Sequence, residues 1–372
     1  MTTFRTLQEI ILAAHRNLPT PLWDFITYGT ESETTVMRNR QAFDRLALRP
    51  DIMSDVRDVD VTVPFLNQTL RIPAILSPVG ALKRFNEKGT AGAAKATAEF
   101  GTMQIVSGVI SDFEDIPRQS SASLIYAVQG DIELKFPDDI ARRAQDAGYR
   151  AIAFVAEASY FSRRERDVHH NLISSRKSPA SYAGYLRDRR SSPPQVGNDM
   201  ALAFDWKLLD LLRSTCSLPL ILKGVTTAAD ARRAVDCGVD VVYVSNHGGR
   251  ALDHALGTAS VLPEVVDAVA GRATVIMDGG VARGTDILKA LALGAKAVCI
   301  GKLQAYAFAA AGDAGVLRLL EILEEELVVS AGLLGVSRLD QISARHVANA
   351  DPVYPPHPLN PFPLVMERLG RA

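Results

Sequence analysis

Residues 218–250 read Leu-Pro-Leu-Ile-Leu-Lys-Gly-Val-Thr-Thr-Ala-Ala-Asp-Ala-Arg-Arg-Ala-Val-Asp-Cys-Gly-Val-Asp-Val-Val-Tyr-Val-Ser-Asn-His-Gly-Gly-Arg. The apolar run Leu218–Lys223 is the pattern of a strand buried on both faces. Helical spacing follows from Thr227 to Cys237, and a second apolar run, Val239–Ser245, closes the unit. Two buried strands joined by a helix must lie parallel, because a parallel pair needs a long crossover. The second strand then breaks into Asn246, His247, Gly248, Gly249 and Arg250. An imidazole that titrates near neutrality and a guanidinium that grips carboxylates with paired hydrogen bonds therefore stand together at a strand end. That layout suits a base beside an anion clamp.

Outward from this unit the same rhythm covers most of the chain. Eight short apolar runs occur: Ala74–Pro78, Met103–Ser107, Leu124–Val128, Ala151–Ala156, Leu218–Lys223, Val239–Ser245, Thr274–Asp278 and Ala297–Gly301. Helical stretches follow them, among them Gly89–Phe100, Pro137–Ala147, Leu262–Ala270, Thr285–Leu293 and Ala305–Val329. Eight alternating units predict an α/β fold of the (β/α)8 TIM-barrel type. An open doubly wound sheet gives similar alternation, but it usually carries a Gly-rich dinucleotide loop after an early strand, and none is present. We divide the single domain into an N-terminal helical extension (1–72), a barrel (73–330) and a C-terminal tail (331–372). The extension holds three expected helices, Leu7–His15, Pro21–Tyr28 and Glu33–Leu46, then a hairpin within 57–72 that closes one end of the barrel.

Barrel enzymes place their chemistry at the C-terminal ends of the strands. Gly80, Ser107, Gln129, Glu157, Lys223, His247, Asp278 and Gly301 stand at or just beyond those ends. Lys223 closes an apolar run and would be costly to bury alone, so it is expected to face an anionic or electron-rich ligand. After the last two strands, Asp278-Gly279-Gly280 and Gly301-Lys302 supply backbone amides and, with Arg283, positive charge. Loops there often bind phosphate, which implies a phosphorylated cofactor or substrate.

Composition narrows the partners. The 372 residues are 47% hydrophobic and 22% charged with a formal net charge of −1, so no nucleic-acid surface is expected. The three cysteines have no metal-ligand spacing and cannot all pair, and no signal-peptide core is present, so a cytoplasmic location is expected. The adjacent histidines His169 and His170 have no third ligand nearby, and no metal site is expected. The polar, Arg- and Ser-rich stretch 171–205 reads either as a lid or as a solvated excursion. The proline-rich stretch Asp351–Pro363 reads as an extended arm that packs on a neighbouring subunit.

The stretches Leu218–Ala251 and Val275–Lys302 carry a resemblance. With Leu18–Asp60, Ile75–Ser107 and Arg163-Arg164-Glu165, and above all with Ser-Asn-His-Gly-Gly-Arg, the chain resembles the FMN-dependent α-hydroxy-acid oxidase and dehydrogenase family of glycolate oxidase, lactate oxidase and mandelate dehydrogenase. The resemblance implies FMN as cofactor and oxidation of a 2-hydroxy acid to a 2-oxo acid, with oxygen, a quinone or a carrier protein as electron acceptor. It also implies a homo-oligomer, a homotetramer in the family's habit.

By the same resemblance His247 is the base, supported by Glu157 where the family has an aspartate. Arg164 and Arg250 bind the substrate carboxylate. Lys223 stabilises the reduced flavin. Pro78, Val79, Gly80, Ser107, Ser245, Asp278, Gly280, Arg283, Gly301 and Lys302 contact the cofactor. Six departures stand out: Phe25 and Gln129 replace tyrosines on the substrate side, Ala127 and Val155 replace polar flavin contacts, and Ala282 and Lys302 replace phosphate-binding arginines. The wider, greasier pocket implies a substrate larger or less polar than glycolate or lactate. The lost phenols also leave open another flavin reaction, oxidative decarboxylation or a tailoring oxidation. The lost flavin contacts leave open a non-catalytic relative, against which the retained base, lysine and clamps argue.

Overall fold

The computed structural model describes residues 4–108, 113–128, 137–159, 162–172 and 205–369. Eight parallel strands close into a barrel: β4 (Ala74–Leu76), β5 (Met103–Ser107), β6 (Ser123–Val128), β7 (Ala151–Val155), β8 (Leu220–Val225), β9 (Val241–Val244), β10 (Thr274–Met277) and β11 (Ala297–Ile300). Neighbours in sequence are neighbours in the sheet, and β11 returns to pair with β4 through Val298–Ala74, Cys299–Ile75 and Ile300–Leu76. The eight apolar runs are these eight strands, and the (β/α)8 expectation holds.

Side-chain parity sorts the barrel into two cores. Ile75, Met103, Ile105, Ile125, Ala153, Ile221, Val241, Tyr243, Ile276 and Cys299 fill the inside. Their strand neighbours Leu76, Val106, Tyr126, Phe154, Leu222, Val242 and Met277 pack outward under the helices. Because successive residues face opposite sides of a strand, Ser107 continues the inward series of Met103 and Ile105. In the same way Lys223 follows Ile221, and Ser245 follows Tyr243. The polar strand-end residues thus enter the barrel mouth by alternation alone.

The hairpin expected within 57–72 is present as β2 (Val63–Phe65) and β3 (Gln68–Leu70), joined by Leu66 and Asn67, both at positive φ. That is the left-handed geometry of a tight hairpin turn. Val63, Phe65 and Leu70 join the inner core, so the hairpin plugs the barrel end opposite the strand C-termini.

Three helices precede it: α1 (Leu7–Asn17), α2 (Thr20–Thr27) and α3 (Thr34–Asp44). Leu7, Ile10, Ile11 and Ala14 give α1 one buried stripe, and Thr6 caps its N-terminus by accepting from the Glu9 amide. The third helix stops at Asp44 instead of Leu46. Leu46–Leu48 is instead a short strand, β1, drawn into extended pairing by β12 (Val347–Asn349), which local spacing does not reveal.

The helix Lys302–Leu334 is longer than expected and breaks at Ala311 and Gly312, where the backbone leaves helical geometry. Its first nine residues are the short extra helix that barrels place beside strand eight. Part of the C-terminal tail packs on the chain itself, while Val353 and Tyr354 stay exposed. Leu359, Phe362 and Val365 are buried in the chain's own core, and the Leu364 amide donates to Gln8 of α1. No helix among the described residues is long and apolar enough to cross a membrane.

Candidate active site

Strand β9 ends at Val244, and the chain turns through His247, Gly248 and Gly249, all at positive φ. Such backbone is unfavourable for a histidine, so surrounding bonds must hold it. The turn points the imidazole back over the mouth, where His247 Nδ1 lies 3.0 Å from Glu157 Oε1. The same carboxylate oxygen accepts a hydrogen bond from Lys223 Nζ. Glu157 reaches this position because a bulge between Lys223 and Val225 coincides with Gly224, at φ +107°. A Cβ at Gly224 would stand 2.6 Å from Glu157. Only glycine leaves the carboxylate room to bridge the lysine and the histidine.

Lys223 Nζ also donates to Ser245 Oγ at 3.0 Å, and Ser245 Oγ donates to Asp278 Oδ1 at 2.6 Å. Tyr243, wholly buried, donates to Asp278 Oδ2 at 2.8 Å. One continuous network thus joins the ends of β8, β9 and β10. Burial lowers the Lys223 pKa, with the Asp278 charge opposing that shift. Burial, then the charges of Lys223, Arg164 and Arg250, hold His247 well below its ordinary value. The imidazole is therefore neutral at pH 7. With Nδ1–H donating to Glu157, the Nε2 lone pair is free to take a proton.

The two arginines bracket the opposite side. Arg250 Nη1 donates to the Phe25 carbonyl and, at 3.2 Å, to the Tyr28 carbonyl, and its guanidinium lies 4.4 Å from the Phe25 ring centroid. Burial and the neighbouring Arg164 lower the Arg250 pKa to about 9, which leaves it charged at neutrality. Arg164 Nε donates to Ser162 Oγ (3.1 Å) and to the Arg250 carbonyl (3.2 Å), which couples the loops after β7 and β9. Asp167, buried beside both guanidiniums, is pushed upward by desolvation while the arginines pull it down.

The residues present fit a flavin. Ser107 Oγ and Glu157 Oε2 are buried at the mouth without a hydrogen-bond partner among the described residues, and a buried polar atom left so is costly unless a ligand completes it. At Gly301 a Cβ would meet nothing closer than Ser77 Cβ at 3.5 Å, so the chain's own packing does not demand glycine there and leaves room for a phosphate. Pro78, Val79 and Gly80 line the rim after β4, and Gly280 stands in the loop after β10 at φ +87°.

The expected cationic phosphate residues are engaged elsewhere. Arg283 Nη2 pairs with Glu326 Oε1 at 2.7 Å, and its guanidinium lies over the Phe362 ring. Lys302 Nζ donates to the Thr27 carbonyl at 2.7 Å. Burial, then Arg250, lowers the Lys302 pKa to about 7. The backbone amides of Gly280 and of the Lys302 helix start are left to meet a phosphate, with Lys302 able to join them by releasing one carbonyl. Gln129 and residues 173–204 of the expected insertion lie outside the described residues. His170 Nε2 is 2.9 Å from Asp24 Oδ2, a contact between α2 and the loop after β7.

Sequence reading missed Tyr243, hidden inside an apolar run, and the N-terminal side chains that brace the site. Asn39 of α3 exchanges two amide hydrogen bonds with Asn246, at 2.9 and 2.7 Å. Arg40 grips Asp286 with two bonds and donates to the Gly280 carbonyl. A polar helix some 200 residues distant in sequence gave no local signal of these partners.

Comparison with known proteins agrees with this geometry. A family model described as FMN-dependent dehydrogenase matches residues 14–349. A peroxisomal (S)-2-hydroxyacid oxidase of Arabidopsis thaliana is 36% identical over 339 residues, 90% of this chain and 93% of its own length. Glycolate oxidase 1 of Oryza sativa subsp. japonica is 34% identical over 370 residues, 96% of this chain and all of its own. A crystal structure of mandelate oxidase superposes with a TM-score of 0.84 at 32% identity, covering 95% of this chain and all of that one. A barrel whose mouth joins a neutral histidine, a buried lysine and two arginines, matched along nearly its whole length in this way, belongs to the FMN-dependent dehydrogenase family and is an FMN-dependent oxidoreductase.

Proposed function

We propose that the protein oxidises a 2-hydroxy acid to the corresponding 2-oxo acid, and that the acid carries a larger or less polar group on Cα than glycolate or lactate. The carrying observation is the Glu157 bridge between His247 and Lys223, with Arg164 and Arg250 acting electrostatically on the same imidazole. A carboxylate held by the arginines would present its α-carbon to His247 Nε2. Proton removal turns the imidazole cationic, and Glu157 stabilises that charge at 3.0 Å. Bound FMN would supply the acceptor for the two electrons and the second hydrogen released as the C–H and O–H bonds are replaced by C=O, the first proton resting on His247. Lys223, buried beneath the mouth, holds positive charge where negative charge develops.

The apolar trim supports the proposed size of the substrate. Phe25 offers a ring without a hydroxyl, 6.2 Å from the Phe85 ring, and together they form an aromatic wall beside Arg250. A solved structure of mandelate oxidase with benzoyl-formic acid superposes at 31% identity and TM-score 0.83, which supports an aryl or other bulky group here. The relatives named as oxidases favour oxygen as the electron acceptor in this proposal.

The test is the visible spectrum of the FMN-loaded protein after anaerobic addition of glycolate, lactate, a long-chain and an aryl 2-hydroxy acid. We expect the flavin bands to bleach fastest with the bulky acids. A clear preference for glycolate overturns the size assignment, and bands untouched by every acid overturn the reaction.

A further inference from the structure

We propose that Asn39, in α3, is a positioning residue for the base: it locks the left-handed turn on which His247 stands. The inference rests on the function proposed above and concerns what keeps its base in place. Three consecutive residues at φ +59°, +66° and +77° (His247, Gly248, Gly249) make a turn that an L-histidine rarely adopts unaided. Its stability depends on Asn246, which is 6% exposed and stands between Ser245 and the base. Asn246 Oδ1 accepts from the Gly249 amide at 3.1 Å, closing the turn from inside, and from Asn39 Nδ2 at 2.9 Å. Asn246 Nδ2 donates to Asn39 Oδ1 at 2.7 Å and to the Leu256 carbonyl at 3.0 Å.

Asn39 is itself 1% exposed, and its Oδ1 accepts a further bond from the Thr258 amide at 3.1 Å. Its amide is therefore spoken for on both sides, and it can hold Asn246 in one rotamer only. Val36, one turn earlier on α3, presses on the same loop: a Cβ at Gly249 would stand 2.6 Å from the Val36 nitrogen. Without Asn39 the Asn246 amide loses a donor and an acceptor in a buried setting and must rotate to find others. The Gly249 amide then keeps only the Asn246 backbone carbonyl, at 3.1 Å, the turn loses its side-chain tie, and the imidazole loses the orientation that places Nδ1 on Glu157. A displacement of about 1 Å at a reacting group costs on the order of 100-fold in rate.

The experiment compares Asn39→Ala and Asn39→Asp with the wild type, and with Asn17→Ala as a control that removes amide bonds to Ala309 and Ala310 away from the mouth. Rates of flavin reduction are measured per bound FMN, with kcat and KM separated. The His247 ring is followed by NMR of histidine-labelled protein, assigned with His247→Asn. We expect Asn39→Ala to lower kcat about 100-fold with little change in KM. We also expect its His247 titration to move up toward the ordinary value as the ring leaves Lys223 and the arginines. Asn39→Asp, which keeps the volume and the acceptor but not the donor, should fall between, and it serves if the alanine variant does not fold. A wild-type rate per flavin with a wild-type His247 titration overturns the proposal. So does an equal kcat loss in Asn17→Ala, which would reduce Asn39 to general stability. If no 2-hydroxy acid reduces the wild-type flavin, the proposed function fails, and the His247 titration still decides the positioning role.

Discussion

At His247 the balance of charges fixes what the side chain can do. Lys223, Arg164 and Arg250 all disfavour the imidazolium, and burial does so most; among the contacts described, only Glu157 touches the ring with opposite charge. Because the folded pKa lies below the ordinary 6.5, kcat/KM should be flat at neutral pH and fall on the acid side as the base protonates, with a separate fall near pH 9 as Arg250 loses its charge. Glu157→Gln removes the stabilising charge, so it should lower kcat by about 100-fold and push the acid limb to still lower pH. Stopped-flow flavin reduction between pH 5 and 8 checks both. An acid limb that moves upward would show that Glu157 does not act on the imidazole through its charge.

At the scale of elements, α3 is the brace for two catalytic loops. Its N-terminus has no cap of its own: Glu33 precedes it in left-handed backbone and makes no capping bond. The cap comes instead from Asp253, three residues beyond Arg250, whose carboxylate accepts from the Thr35 amide at 2.8 Å and from Ser32 Oγ at 2.7 Å. Burial alone would raise its pKa, but the Ser32, Thr35 and His254 bonds bring it down to about 2. A depressed carboxylate contributes stability above its unfolded value near 3.8 and loses it as pH falls toward 2. That contribution is about 2 kcal/mol at neutral pH. Asp253→Asn should therefore lower Tm at pH 7 by about 4 °C, with the gap to wild type narrowing in urea titrations below pH 4. A gap independent of pH would mean that shape, not charge, supplies the cap.

Across the whole molecule, Lys302 connects stability to the cofactor. It stands at the head of the helix after β11 and ties it to the end of α2 through the Thr27 carbonyl. Its folded pKa near 7 lies below the unfolded 10.5, so the folded chain binds fewer protons between those values and stability rises with pH there. Below pH 7 the cost of burying the ammonium is present in full. Lys302→Met should raise the Tm of the FMN-free protein by about 5 °C at pH 6, with the gain shrinking toward pH 10. The same variant should show a smaller rise in Tm on adding FMN, because ligand stabilisation follows RT ln(1 + [L]/Kd). Differential scanning at both pH values, with and without FMN, tests the pair. An FMN shift equal to wild type would remove Lys302 from the phosphate site.

The chain's own alternation of apolar runs and helical spacing determined the barrel, since strands buried on both faces and joined by helices have few other ways to close. It also determined the hairpin plug and the strand-end residues, because parity along a strand sends every second side chain inward. Ser107, Lys223 and Asp278 were legible on those grounds, and Ser245, His247, Arg250 and Arg164 through the motifs that carry the family likeness. What only the tertiary structure decided lies between segments far apart in sequence. The Asn39–Asn246 pair, the Asp253 cap, the seat of Glu157 over Gly224 and the return of the tail onto α1 all join such segments. So do the pairing of Arg283 with Glu326 and of Lys302 with Thr27. Spacing along the chain encodes which face a side chain takes, but a hydrogen-bond partner 200 residues away is chosen by packing. Packing exists only once the barrel has closed.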